Sequence, residues 1–212
     1  MNTFVKLAFA LGVIAVLGYL FAATLTDVGS DPYDVRSADL QQWTIQADPI
    51  RDPNGSALSL LPPRELPMNL FDQVFQRTME SYTTPAAPGI PLVLHQELAG
   101  SPMSISATTL VEMAHAAGLG SARLTPTCMS VYRTLDGREQ RRFFVLFDLP
   151  QFEQFRLAVQ DQLRAGDSDT TFDPGALAPA LLIASTDPRR RRALPTRAAL
   201  EQSCEASVAS QG

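Results

Sequence analysis

Residues 127–149, TCMSVYRTLDGREQRRFFVLFDL, contain the clearest folding signal in the chain. Residues 127–135 and 141–149 are rich in β-branched and aromatic side chains, and they flank the dipeptide Asp136-Gly137. An Asp-Gly pair between two such runs favours a tight hairpin turn. Residues 143–147 are apolar at every position, which is typical of a strand covered on both faces. The stretch therefore predicts a hairpin inside a sheet.

Residues on both sides of this hairpin predict further strands and helices. A strand is expected at 90–95, a helix from the N-cap Ser106 to about 117, a helix at 151–164, a strand at 180–184, and a final helix at 197–207 capped by Thr196. In order, residues 90–185 follow the pattern of a ferredoxin-like domain, whose four-stranded sheet carries two helices on one face. The predicted fold class is α+β, with a ferredoxin-like (βαββαβ) or related two-layer domain at 90–212.

A charge-free apolar segment precedes this domain at residues 7–25, LAFALGVIAVLGYLFAATL. A helix of this length rises about 28 Å, close to the thickness of a bilayer core. The alternatives are a retained anchor and a cleaved secretory signal, whose apolar core is usually shorter. Because the run is long and a poor cleavage site follows it, the sequence favours a single transmembrane helix within residues 1–26.

Charges around this segment predict its orientation. Lys6 precedes it, whereas Asp27, Asp31 and Asp34 follow it, which favours a cytoplasmic N-terminus and a periplasmic C-terminal domain at a bacterial inner membrane. A bacterial origin agrees with an arginine-rich composition in which Lys6 is the only lysine. Small side chains also share one stripe of the predicted helix, which permits close packing on another membrane helix. These predicted helix-packing residues are Ala8, Gly12, Ala15, Gly18 and Ala22.

Residues 27–89 contain eight prolines among scattered aromatic and aliphatic side chains. Proline interrupts regular elements, so an extended segment is predicted, lying on its own domain or on a neighbouring subunit. One short amphipathic helix beginning at Asn69 is expected within it, with Phe71, Val74, Phe75 and Met79 on one face. That face either packs on the main domain or contacts a membrane surface or a partner.

Two further groups of side chains are candidates for a structural or binding role. Cys128 and Cys204 are the only thiols, and outside the cytoplasm they predict a disulfide, with two buried free thiols as the alternative. The run Arg189, Arg190, Arg191 and Arg192 is either a solvated loop or a contact with anionic lipid or an acidic partner.

Catalytic signals are weak throughout the sequence. Glu112 and His115 share a helix face, but a di-metal carboxylate site needs a second such pair, and the other histidine, His95, is not part of one. Gly-x-Ser-x-Gly and Cys-x-x-Cys motifs are missing from the sequence. A net charge of -5 argues against nucleic-acid binding. The sequence therefore predicts no catalytic residues, no metal and no cofactor.

Together these features predict a non-catalytic accessory or structural subunit of a bacterial membrane protein complex, such as a respiratory or photosynthetic one. Its expected partners are other integral membrane subunits and membrane lipid, with no small-molecule substrate. One alternative is a free-standing, membrane-anchored periplasmic binding or sensing domain. A third is an anchored periplasmic enzyme, for which Glu112 and His115 are the candidates.

Overall fold

The computed structural model describes residues 12–18, 31–49, 55–85, 88–99, 105–136, 138–166, 171–186 and 193–211. The chain divides into two units, Met1–Pro32 and Tyr33–Gly212. The first unit is described at helix α1 (residues 12–18) and at Asp31 and Pro32. All strands and the other helices of the described residues belong to the second unit.

The expected transmembrane anchor is not supported. Within the part of the chain that the structure describes, every helix is too short or too polar to cross a bilayer. Of helix α1, residues 12–18 are described. Residues 7–11 and 19–25 of the expected span lie outside the described residues. The apolar run predicted a single-pass protein of the inner membrane, and this prediction is therefore not supported.

The second unit contains the following elements. Its strands are β1 (Tyr33–Arg36), β2 (Thr44–Ala47), β3 (Ser56–Leu61), β4 (Ile90–Leu94), β5 (Thr125–Asp136), β6 (Arg138–Asp148), β7 (Ala180–Ser185) and β8 (Cys204–Gln211). Its helices are α2 (Glu65–Thr78), α3 (His95–Leu98), α4 (Ala107–Ala116), α5 (Pro150–Gly166) and α6 (Arg197–Gln202). The fold is α+β, as the sequence predicts.

The strands form two sheets. A curled five-stranded sheet has the order β1-β8-β5-β6-β7, in which β1 and β8 are parallel and the other neighbours are antiparallel. A three-stranded antiparallel sheet has the order β2-β3-β4. The hairpin predicted at 127–149 forms β5 and β6, with Asp136 paired to Arg138 at its turn.

The ferredoxin-like arrangement is wrong in two places. The strand predicted at 90–95 is β4, and it pairs with β3 in the second sheet instead of joining the hairpin. The helix predicted at 197–207 ends at Gln202, and the chain continues as β8 between β1 and β5. β8 has the sequence CEASVASQ, whose small and polar side chains carry no clear strand period. Its conformation depends on hydrogen bonds to two distant strands.

The extended proline-rich segment is also corrected. The described parts of residues 33–78 form β1, β2, β3 and α2, in the same compact unit as the rest of the domain. Three of the prolines lie where they disturb no ladder or helix: Pro62 and Pro63 separate β3 from α2, and Pro67 is in the first turn of α2. A first-turn proline lacks only an N–H that has no helical partner in any case.

Residues 143–147 are covered on both faces, as their apolar run predicts. Phe143, Val145 and Phe147 point into the main core, which includes the aliphatic side chains of the second sheet. Phe144 and Leu146 point to the opposite face, where they form a smaller cluster beneath Leu200 of α6. The hairpin thus lies between the two apolar clusters. Helix α2 packs near β1 and β7.

Candidate protein-binding groove

Helix α2 has one face directed into the core. Leu66, Leu70 and Val74 are fully buried, and their i, i+4, i+8 spacing places them on one side of the helix. The helix begins four residues before the predicted N-cap Asn69, whose amide donates instead to Asp39 at 3.4 Å. It ends at Thr78 because Met79 adopts a left-handed conformation with φ 54°.

A second apolar face of α2 is turned towards solvent. Met68, Phe75 and Met79 are 64%, 46% and 78% exposed, and Phe71 is half-buried. These four residues, spaced by three, four and four positions, are called the outer stripe below. Of the side chains predicted to share one face, only Val74 is fully buried. Of the two alternatives for this face, packing on the domain holds for Val74 and in part for Phe71, whereas Phe75 and Met79 are left exposed.

Two residues of the outer stripe, Met68 and Phe71, line one wall of a groove. A cavity of about 480 Å³ lies between α2, the residues Thr84, Pro85 and Pro88, and β7. Its lining consists of Arg64, Pro67, Met68, Phe71, Asp72, Thr84, Pro85, Pro88 and Ile183. Most of these side chains are apolar, and Ile183 is fully buried at the bottom. This cavity is called the α2 groove below.

Two charges of opposite sign lie on the rim of the α2 groove. Arg64 and Asp72 are exposed and stand eight residues apart, about 12 Å along the helix axis. Within the described ranges, neither side chain has an ion-pair partner. The groove thus presents an apolar floor between a positive end and a negative end.

The wall opposite α2 is attached to the main sheet. The backbone of Thr83 exchanges hydrogen bonds with Ser185 of β7, at 2.8 and 3.0 Å. Tyr82 packs edge-on against Phe143 with ring centroids 5.1 Å apart, and its hydroxyl donates to Glu80 at 3.0 Å. These contacts hold the chain against the sheet up to Thr83, the residue directly before the lining of the groove.

Glu80 connects this wall to the hairpin electrostatically. Its carboxylate accepts hydrogen bonds from the guanidinium of Arg141 on β6, which lower the pKa of Glu80 below its ordinary value. Partial burial raises the pKa of the neighbouring Tyr82 hydroxyl. The ion pair therefore holds the chain that leaves α2 against the sheet.

The residues predicted for helix packing lie partly outside the described residues, and the four arginines of the predicted contact lie wholly outside them. Gly12, Ala15 and Gly18 are on α1, whereas Ala8 and Ala22 are outside the described residues. Arg189, Arg190, Arg191 and Arg192 are also outside them.

Cys128 and Cys204 are joined in a disulfide, with their Cα atoms 5.8 Å apart. The bond links β5 to the first residue of β8, which are neighbouring strands of the five-stranded sheet. It lies on the side of the sheet covered by α6, where Cys128 packs against the smaller apolar cluster. Its position is that of a structural crosslink within the sheet.

The acidic and histidine candidates are not assembled into a site. Glu112 and His115 are exposed on α4, and His95 lies 2.9 Å from the carboxylate of Asp48. Among the described residues, no group of three or more His, Cys, Asp or Glu side chains could hold a metal ion. The observed geometry brings no second ligand group to Glu112 and His115.

Arg156 on α5 is a fully buried charge, but its hydrogen bonds are used within the fold. Its guanidinium pairs with Glu97 at 2.7 Å and donates to the carbonyl oxygens of Leu92, Asp173 and Pro174 at 2.6–2.9 Å. It also stacks over the ring of Phe172, 4.6 Å from the centroid. This arrangement fastens α5 to β4 and to the segment before β7, and it leaves no donor for a ligand.

No protein-family model, curated protein or solved structure matches this chain. The sequence indicated the apolar spacing of α2 but not the groove, because Thr84, Pro85, Pro88 and Ile183 reach it only through the tertiary fold. The alternation of apolar and charged side chains around α2 was the local sequence pattern that could have pointed to this site. The α2 groove is accordingly the feature from which a function can be argued.

Proposed function

We propose that this protein is a non-catalytic subunit of a protein assembly, and that it holds an apolar segment of a partner protein in the α2 groove. The observation that carries the proposal is the outer stripe: four large apolar side chains remain in contact with water beside an apolar groove. Contiguous exposed apolar surface of this kind marks interaction sites more often than isolated exposed side chains do.

Burial of the outer stripe would contribute most of the binding free energy. Removing apolar surface from water stabilises a complex by about 25 cal/mol per Å². Met68 and Met79 have unbranched, polarisable side chains that adapt to the shape of a partner, while Phe71 and Phe75 offer rigid area. Such a combination is suited to holding a protein segment.

A small-molecule binding domain is the second candidate. A cavity of about 480 Å³ falls within the usual range for ligand pockets. However, the outer stripe continues beyond the lining residues to Phe75 and Met79, which a small ligand in the cavity would leave exposed. A protein segment covers the whole stripe, so it accounts for more of the exposed surface.

Site-specific photo-crosslinking tests the proposal. The full chain carries p-benzoylphenylalanine in place of Phe75, on the outer stripe, or in place of Leu157, which is 50% exposed on α5. Irradiation in the organism's own cells is expected to give a discrete protein adduct from position 75 and none from position 157. Met68→Glu, combined with the probe at 75, is expected to remove the adduct. Equal background labelling at both positions would contradict the proposal.

A further inference from the structure

We infer that the occupant of the α2 groove is an amphipathic α-helix of a partner protein, with an acidic side chain beside Arg64 and a basic side chain beside Asp72. This inference rests on the proposed function and specifies the chemistry of its partner. Three features support it: the hydrogen-bonding capacity of the groove walls, the spacing of the outer stripe, and the two rim charges.

The walls favour a helix over an extended strand. The backbone of α2 is hydrogen-bonded within the helix, and Thr83 already pairs with Ser185 on the opposite wall. Pro85 and Pro88 follow on that wall, and proline has no N–H to donate. Among its described residues, this wall therefore offers few N–H donors to the backbone of an extended segment, whereas a helix satisfies its own backbone groups.

The spacing of the outer stripe matches helix-on-helix packing. Met68, Phe71 and Phe75 lie in one row along two turns of α2, and Met79 follows directly where the helix ends. Rows of side chains three and four residues apart pack into the grooves of a second helix. A partner helix of about three turns would cover the stripe from end to end.

Arg64 and Asp72 set the charges on that partner. Both helices rise by the same 1.5 Å per residue, so charges about 12 Å apart on α2 face charges seven or eight residues apart on a helix lying alongside. Each ion pair between one of these two side chains and the partner helix would be exposed, so it is expected to strengthen binding by about two- to fivefold. The apolar stripe supplies affinity, and the rim charges select the sequence.

Selection from an unconstrained library of 16-residue peptides tests this inference on the full chain. Wild-type protein is expected to enrich peptides with an apolar helical face and with one acidic and one basic residue seven or eight positions apart. The Arg64→Glu variant is expected to enrich peptides with two basic residues at that spacing. The Asp72→Arg variant is expected to enrich peptides with two acidic residues at that spacing. Met68→Ser/Phe75→Ser removes the stripe and serves as the negative control.

Synthetic peptides provide the quantitative readout. Replacing the acidic residue of the best wild-type peptide by lysine is expected to weaken binding about two- to fivefold, as measured by fluorescence anisotropy, and Arg64→Glu is expected to restore it. Urea unfolding verifies that each variant is folded. Enrichment of apolar peptides that lack the charge pattern would overturn the inference but leave the proposed function intact. Enrichment of peptides whose charges lie three or four residues apart, the spacing expected for an extended chain, would have the same meaning. Equal enrichment by wild type and Met68→Ser/Phe75→Ser overturns both.

Discussion

Arg156 illustrates how one buried side chain connects distant parts of the sequence. Its guanidinium contacts residues 59 and 64 positions earlier and the segment 172–174 later in the chain. Glu97, its ion-pair partner, also accepts a hydrogen bond from the backbone of Leu94 at 2.8 Å. Removing the cation would therefore leave a nearly buried carboxylate and three carbonyl oxygens without their donor.

We expect Arg156→Met to lower the free energy of unfolding by about 3–5 kcal/mol, because breaking a buried ion pair strands the remaining charge. Urea denaturation measures the change. Arg164→Met, at an exposed position on the same helix, is the matched control and should alter stability by less than about 0.5 kcal/mol. Similar urea midpoints for the two variants would show that the Arg156 contacts do not stabilise the fold.

Glu80 predicts a pH dependence of stability. Its hydrogen bonds from Arg141 lower its pKa in the folded state, so folding favours the ionised carboxylate. The stabilisation is fully present above the unfolded-state pKa and is lost as the pH falls through the folded-state pKa. We expect wild type to be more stable than Glu80→Gln at pH 7, by about 0.2–1 kcal/mol, and the difference to vanish in acid.

Urea midpoints of the two proteins between pH 7 and pH 3 measure this difference. Glu112→Gln, on the exposed face of α4, is the control and should follow wild type at every pH. A gap between wild type and Glu80→Gln that stays constant over the whole range would contradict the assignment of Glu80.

At the scale of elements, α2 protects the edge of the five-stranded sheet. β1 is an edge strand, and the side-chain amide of Gln73 on α2 pairs with the backbone of Asp34 through two hydrogen bonds of 2.8 Å. Arg77, one turn further on, lies over the ring of Tyr33 at 3.8 Å from its centroid. Helix α2 thus occupies backbone hydrogen-bonding groups of an edge strand that could otherwise pair with another chain.

We expect Gln73→Ala to loosen β1 by about 1–2 kcal/mol, because the two hydrogen bonds between the Gln73 side chain and the backbone of Asp34 are lost. Amide hydrogen exchange is the measurement, and the amide of Asp34 should exchange faster while amides of β5 and β6 keep their protection. Gln76→Ala, on the exposed surface of the same helix, is the matched control. Unchanged exchange at Asp34 in Gln73→Ala would mean that the Gln73 amide does not hold the edge.

For the whole molecule, the first and last strands of the second unit close the fold. β1 pairs with β8 in a parallel register from Tyr33 with Val208 to Arg36 with Gln211. Tyr33, Val35 and Leu40 are all buried in the main core. Residues at the two ends of this unit therefore stabilise each other although they are far apart in sequence.

We expect the fragment 33–212 to unfold in one transition within a few degrees of the full chain. The fragment 42–212, which lacks β1 and Leu40, should melt about 10–20 °C lower, because three buried side chains are lost and the edge of β8 is exposed. Differential scanning calorimetry compares the two fragments, and 33–212 is the control for truncation itself. Equal melting temperatures would mean that β1 is not required to close the sheet.

Local sequence signals predicted the elements that carry their own pattern. The Asp136-Gly137 hairpin forms, Ser106 caps α4 by accepting the amide of Thr109 at 3.1 Å, and Thr196 caps α6 in the same way at 3.3 Å. α5 extends only a residue or two beyond its predicted range. Short polar strands such as β1 and β8 were missed because their ladder partners lie more than 70 residues away.

The apolar spacing along the chain by itself determined that this protein forms an α+β domain with a central hairpin and amphipathic helices, since such patterns arise from the periods of helix and strand. Only the tertiary structure decided which strands pair, and which of the two apolar faces of α2 remains in contact with water. Burial and hydrogen bonding depend on residues that are distant in sequence. The same local pattern in α2 is therefore compatible with a core helix and with a binding surface.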